Sequence, residues 1–165
     1  MPGQGARRGP GGPPHELVRR FLESDLGRRV ACASCVEREF DFQFALEDVV
    51  LRGQIDLWFE EGGELILVDY KTDRDESGFE RYALQLRLYA LALKQYTGRI
   101  PDRAVLLYLR SVQAMEVDLN EESLENARSA VRAFSAAQQC LDFPMKVGEQ
   151  CSRCIFWKEE CEGRS

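Results

Sequence analysis

Gly53-Gln54-Ile55-Asp56-Leu57-Trp58-Phe59, a Glu60-Glu61-Gly62-Gly63-Glu64 break, and Leu65-Ile66-Leu67-Val68-Asp69-Tyr70-Lys71-Thr72 form the stretch on which the fold turns. Both flanking runs are rich in β-formers, and the paired glycines between them predict a hairpin. Each run is apolar enough to be buried, yet each carries an aspartate. Residues two apart on a strand share a face, so Asp69 and Lys71 project side by side. In a suitable register Asp56 reaches the same place from the neighbouring strand. Burying charge is costly unless it is paired or bound to metal, so three charged groups converging on apolar strands need a reason. The plain alternative is a solvated strand end with a surface ion pair of little energetic weight.

The rest of the chain dresses this hairpin. Residues Met1 to Pro14 are rich in Gly, Pro and Arg and read as a disordered tail. A helix is expected from Pro14 to about Val30, with Leu17, Val18, Phe21, Leu22 and Leu26 as its apolar stripe. A strand follows over Val36 to Leu46, with Phe40, Phe42 and Phe44 on one face and Glu39, Asp41 and Gln43 on the other. Asp48 marks a tight turn into a strand over Val49 to Phe59, and the third strand covers Leu65 to Lys71. Beyond a polar loop, Phe79 to Tyr96 reads as a long helix. Its Tyr82, Leu86, Tyr89 and Leu93 line, with a second line of Leu84, Leu88 and Leu91, predicts burial on more than one side. Gly98 and Pro101 stop it. Two short strands, Ala104 to Leu109 and Ala114 to Val117, precede a helix over Glu121 to Gln139 capped by Asn120. This order specifies an α/β fold: a mixed central sheet flanked by helices.

At 165 residues, 44% of them apolar and 30% charged, the chain reads as one domain with a substantial core. No apolar run reaches membrane-spanning length and no signal-peptide core is present, which assigns a cytoplasmic location. The net charge of −6 is unusual for a nucleic-acid-binding protein and implies help from a partner. The arginines at 7, 8, 19, 20, 28 and 29 make the N-terminal end the most basic region.

The string G-x-I-D at Gly53, Ile55 and Asp56, followed by D-Y-K-T at Asp69, Tyr70, Lys71 and Thr72, resembles the PD-(D/E)xK nuclease superfamily. Its RecB/AddA-type nuclease domains, and the CRISPR-associated RecB-like exonucleases, are the similar branches. The resemblance runs over roughly Val18 to Cys161. It implies a restriction-endonuclease-like core and metal-dependent hydrolysis of DNA phosphodiesters, exonucleolytic and in double-strand-break repair. It also implies a helicase partner or a fused helicase domain. By the same resemblance Asp56, Asp69 and the Tyr70 main-chain carbonyl hold Mg²⁺ or Mn²⁺, and Lys71 orients the attacking water. Hard oxygen ligands suit those ions, which need only one or two carboxylates. Arg38-Glu39-Phe40-Asp41-Phe42 matches an R-E-F-x-F context in which Glu39 joins the site, although a bare glutamate there would be solvated. Gln85 and Tyr89, one helical turn apart, match a Q-x-x-x-Y pattern facing the substrate; as bare residues they read as a surface amide and a core ring. Thr72 and Arg74 follow Lys71 and are candidates for phosphate contact. His15, the lone histidine, fits a G-x-x-x-H pattern from Gly11, but alignment of Val18 to Arg29 with the helix before the R-E-F strand puts the family histidine upstream. A noncatalytic module that keeps the fold is the alternative of a different kind.

Six cysteines fall as Cys32-x-x-Cys35, Cys140, and Cys151-x-x-Cys154 with Cys161. In a cytoplasmic protein such spacing indicates metal or redox chemistry rather than disulfides. The last three resemble the late cysteines that hold a [4Fe–4S] cluster in AddB-type and CRISPR-associated exonucleases. A structural Zn²⁺ between the two C-x-x-C pairs is the rival. The expected organisation is a tail over 1–14, a nuclease domain over 15–143 and a Cys-rich segment over 144–165.

Overall fold

The structure, a computed structural model, describes residues 13–72, 78–143, 147–156 and 161. Gly62 and Gly63 adopt φ of 60° and 88°, the left-handed pair that a two-residue hairpin turn requires. They join β2 (Val49–Glu61) to β3 (Glu64–Lys71), with Glu61 opposite Glu64. β1 (Cys35–Leu46) lies antiparallel on the other side of β2. From β3 the helix α3 (Phe79–Thr97) crosses over to β4 (Arg103–Tyr108), which is parallel to β3 and antiparallel to β5 (Gln113–Val117). Among the described residues the sheet has five strands in chain order. α4 (Glu121–Cys140) packs against α3, and Asn120 caps it by accepting from the Ser123 N–H at 2.8 Å. Gly98, at φ 82°, ends α3 as expected. The result is the anticipated α/β fold with a mixed sheet flanked by helices.

The core has two sides. On one, α3 presents Ala83, Leu86, Ala90 and Leu93 to Ile55, Trp58, Leu65, Leu67 and Leu106, with Leu124 of α4 beyond. On the other, Leu57, Phe59, Ile66, Val68, Val105 and Leu107 meet Phe21, Leu26 and Val30. These last residues were expected on a single helix. Instead two helices, α1 (Pro14–Glu23) and α2 (Asp25–Cys32), meet at Ser24, whose hydroxyl accepts from the Gly27 N–H at 3.1 Å. The break has a local cause: Ser24-Asp25 is an N-cap signal inside an apolar-periodic run. Gly27 makes the junction tight, since a Cβ there would sit 2.1 Å from the Phe21 carbonyl oxygen.

Strict alternation along β1 and β2 also fails, and at one place. Cys35 faces the α3 side and Val36 the other, which would turn Phe40 away from α3; yet Phe40, Phe42, Phe44 and Leu46 all face it. On β2, Leu51 and Ile55 face α3, Leu57 turns away and Trp58 faces α3 again. Both strands therefore swap faces between the rungs Arg38–Leu57 and Phe40–Ile55, and the intervening Glu39–Asp56 rung is unpaired. Glu39 marks the spot with φ 51°, a left-handed conformation rare for a side chain of its size. Register is the same on either side of the swap.

Beyond this rung, β1 and β2 form an arm that leaves β3, whose pairing with β2 stops at Leu57–Val68. The arm lies across α3, and its tip is tied to α4. Asp48 accepts from Ser135 Oγ and Gln139 Nε2, each at 2.8 Å, and Arg132 bonds Glu47 at 3.0 Å. Gly53 lets the arm approach: a Cβ there would lie 2.8 Å from Phe42 Cζ, while Phe42 packs edge-on against Tyr89 of α3 at 5.4 Å. Gly53→Ala is expected to cost about 1–3 kcal/mol, as overpacking does, read as a lower urea midpoint at unchanged m-value.

Candidate active site

The opening where β2 leaves β3 is where the sequence-predicted charges meet. Asp56 sits on the unpaired rung, and its Oδ2 accepts from the Tyr70 backbone N–H at 2.8 Å. A side chain thus replaces the ladder bond that β2 no longer offers. Backbone N–H and C=O of one strand residue point to the same neighbour, so the Tyr70 carbonyl is also directed to the vacated β2 side. The β2–β3 ladder gives it no partner there.

Asp69 and Lys71 share the α3-facing side of β3, as strand periodicity requires. Asp69 is 3% exposed, and its Oδ2 is an ion-pair partner of the Lys71 ammonium. Among the described residues that oxygen has no directed hydrogen bond, although it is buried. Lys71 donates to Gln85 Oε1 at 3.0 Å, and Gln85 Nε2 to the Tyr89 hydroxyl at 2.7 Å. The ammonium also lies 4.1 Å from the centroid of the Tyr82 ring, a cation–π position. Gln85 and Tyr89 thus form a hydrogen-bonded chain that ends on Lys71, with the Tyr89 ring also packed against the core.

Electrostatics follow from this burial. The Asp69 carboxyl is pushed above the usual carboxylate range, first by desolvation, and further by the Asp56 charge, against the opposing pull of Lys71. Two acids that feel each other in a dry setting, one with a buried oxygen held only by its ion pair with Lys71, beside a freed main-chain carbonyl, form an oxygen donor set that suits a hard divalent cation. The Tyr70 side chain points the other way, stacking edge-on with Phe21 at 5.4 Å. Its phenol is pushed up to about 12 by burial, with Asp56 adding to the rise and Arg38 opposing it.

The raised Asp69 value has a linkage consequence. A group whose folded pKa exceeds its unfolded one stabilises the fold below the unfolded value, about 3.9 for Asp. That stability is lost as pH rises through the folded value. The cation-free protein should therefore lose thermal stability as pH climbs upward from about 4, and Asp69→Asn should lack this component. Unfolding midpoints across that range in EDTA make the comparison.

The remaining candidates are placed as follows. Glu39 is exposed, on the open rung opposite Asp56. Thr72 is exposed just past β3, and its carbonyl accepts from Arg110 Nε at 2.7 Å. Arg74 lies outside the described residues, as do 1–12 of the expected tail. His15 is exposed on the first turn of α1. Cys32, Cys140 and Cys154 are exposed, Cys35, Cys151 and Cys161 partly buried. Among the described residues, no group of three His, Cys, Asp or Glu side chains is gathered to hold a metal. Sequence reasoning passed over Tyr82, although it lies one turn before Gln85. It also passed over Arg52 and Arg81, whose guanidiniums have no acid partner among the described residues. Among the described residues, arginines 19, 20, 28, 29, 99, 103, 128 and 132 are ion-paired, whereas Arg38, Arg87, Arg110 and Arg153, like Arg52 and Arg81, are not. No described helix is long and apolar enough to cross a membrane.

Residues 11–159 match the family model described as the PD-(D/E)XK nuclease superfamily. The chain is 33% identical over 113 residues to an ATP-dependent helicase/nuclease subunit of Acetivibrio thermocellus, covering 55% of this chain and 9% of that protein. It is 37% identical over 106 residues to the subunit of the same description from Bacillus cereus strain AH820, covering 48% and 8%. It thus spans less than a tenth of these relatives. Among solved structures, SSO0001 superposes with a TM-score of 0.54 at 17% identity, over 92% of this chain and 68% of that one. A putative exonuclease from Eubacterium rectale superposes with a TM-score of 0.54 at 11% identity, over 87% and 58%. At such identities the likeness is one of fold, and that fold is restriction-endonuclease-like.

Proposed function

Because the chain belongs to the PD-(D/E)XK nuclease superfamily, we propose that it hydrolyses DNA phosphodiester bonds with the help of Mg²⁺ or Mn²⁺. The observation that carries this reading is the buried Asp69 oxygen, unbonded except for its ion pair with Lys71, beside Asp56 at the opening between β2 and β3. A fold with no use for that cluster has every energetic reason to lose it.

Asp56, Asp69 and the Tyr70 carbonyl would hold the cation. When bound, it neutralises phosphate charge and acidifies a water. Lys71 supplies a fixed positive charge at the phosphate and a donor for the incoming water. Gln85 restrains the ammonium from one side, and Tyr89 restrains Gln85. The Tyr82 ring shields the ammonium from bulk water, which strengthens its charge toward an anion. In this reading Glu39, exposed on the open rung opposite Asp56, would bond a water or the cation's hydration shell.

We further infer exonucleolytic action beside a helicase in double-strand-break repair. The support is similarity to helicase/nuclease subunits and a net charge of −6, which favours substrate delivery by an attached or partner domain. The test is degradation of end-labelled linear single- and double-stranded DNA with Mg²⁺ or Mn²⁺. Lys71→Ala should lower the rate by a factor on the order of 10²–10³, the cost of losing a preorganised charge. Equal rates for wild type and variant would remove Lys71 from the mechanism. A folded but inert wild type would favour the noncatalytic module.

A further inference from the structure

Between the arm and α3 lies an open cleft of about 270 Å³ that continues from the hydrolytic cluster. Its walls are mostly apolar: Phe42 and Phe44 from the arm, Leu84 and Leu88 from α3. Gln85 and Tyr89 line the same cavity while also bonding toward Lys71, so it lies next to the proposed reaction centre. At its border stand Arg52 and Arg81. Neither guanidinium has an acid partner among the described residues. Arg81 is held instead by the Tyr82 hydroxyl at 2.8 Å.

We propose that this cavity receives one unpaired nucleobase of a single-stranded DNA substrate, next to the phosphate at the reaction centre. The inference rests on the hydrolytic reading above and gives it a substrate form. Three features carry it. A nucleobase has apolar faces that stack on aromatic rings, and Phe42 offers such a ring on a rigid support, wedged between Gly53 and Tyr89. The phosphates on either side of a base are anions, and these two guanidiniums sit where a strand leading its base into the cavity would place them. In addition, a base held in a duplex stays inside its stack, so only an unpaired or flipped base can enter a cleft between two protein elements. The tip of the arm is tied to α4 through Asp48. Arg52 and Arg81 bind phosphate irrespective of sequence, and the apolar walls carry no hydrogen-bonding pattern that would choose among bases.

Fluorescence anisotropy in EDTA, where no strand is cut, tests this with the full chain and three labelled probes: a short oligo-dT, an abasic strand of equal length, and a blunt duplex. Wild type should bind oligo-dT about tenfold tighter than the abasic strand, the worth of one stacked base. Leu84→Trp fills the cavity from a position outside the buried core cluster, and should bring the two single strands within about twofold of each other. Arg52→Gln should weaken both single strands alike and lower the salt dependence of binding by about one phosphate contact. If wild type does not distinguish oligo-dT from the abasic strand, or the duplex binds as tightly as oligo-dT, the proposal is overturned. The same follows if folded Leu84→Trp keeps the full distinction. Should Leu84→Trp fail to fold, the wild-type comparison and Arg52→Gln still decide. Because binding is read without turnover, loss of the hydrolytic reading in the Lys71→Ala experiment would leave this result standing by itself, and the reverse.

Discussion

Asp56→Asn should fold with wild-type stability, within about 0.5 kcal/mol, and lose DNA hydrolysis by a factor on the order of 10²–10³. The amide oxygen of Asn can accept the Tyr70 N–H as the carboxylate does, so the fork between β2 and β3 keeps its one side-chain tie. What disappears is the negative charge, and with it a hard ligand for a divalent cation. Asp56→Ala separates the two roles. It removes the acceptor as well, leaves the Tyr70 N–H without its partner, and should cost an additional 1–3 kcal/mol or so. Urea unfolding of both variants beside initial rates on end-labelled DNA checks the pair. If Asp56→Asn cleaved at the wild-type rate, Asp56 would be a structural residue and the proposed cation set would be wrong.

The second large effect concerns stability in the opposite direction. Replacing Asp69 with Leu and Lys71 with Met together should abolish cleavage and yet raise stability by about 1–4 kcal/mol, as exchange of buried ion pairs for apolar side chains often does. The pair is set for this outcome: Asp69 is 3% exposed and lies against the apolar core beneath α3, and its carboxyl is held high by desolvation. Either single change should be destabilising, because it strands the partner charge. Chemical denaturation of the two single variants and the double one in EDTA measures the coupling. A double variant less stable than wild type would mean that the pair is a net structural asset and that its presence needs no catalytic explanation.

The hairpin, the strand containing Asp69 and Lys71, the two-sided burial of α3 and the caps at Gly98 and Asn120 were all legible, because each depends on local chemistry. Positive φ at Gly62 and Gly63, period-two alternation on β3 and heptad-like spacing on α3 act within a few residues. Three features were not legible, for distinct reasons. The Ser24 break lay within an apolar stripe that periodicity alone carries through, although the Ser-Asp cap was present to be read. The exchange of faces at Glu39 and Asp56 involves an unpaired rung between two strands, and strict alternation placed Glu39 with Asp41 and Gln43. The tie from Asp48 to Ser135 and Gln139 spans 87 and 91 positions, which no local pattern encodes. The cavity was hidden too, since Phe42, Gly53 and Leu84 become neighbours only after the arm folds over α3. As for the site, motif resemblance supplied Asp56, Asp69, Lys71, Gln85 and Tyr89. The structure added Tyr82 and the arginines at 52 and 81, whose role depends on which acids lie nearby.

The coincident exchange of faces on β1 and β2 also bears on how such a chain can change length. Since both strands turn over at the same rung and keep their register, the segment from Phe40 to Ile55 is a cassette whose orientation is set once, at its root. Adding one residue to each strand near Glu47 and Asp48 would lengthen it and reverse only the new rung's facing, whereas two per strand would extend it with the inward and outward sequence continued. A single insertion in one strand, between the root and the tip, would invert every side chain beyond it and carry Phe42 or Leu51 into water. Relatives that differ in reach over the substrate should therefore differ by even-numbered, paired insertions at the tip, leaving the carboxylates at the root undisturbed.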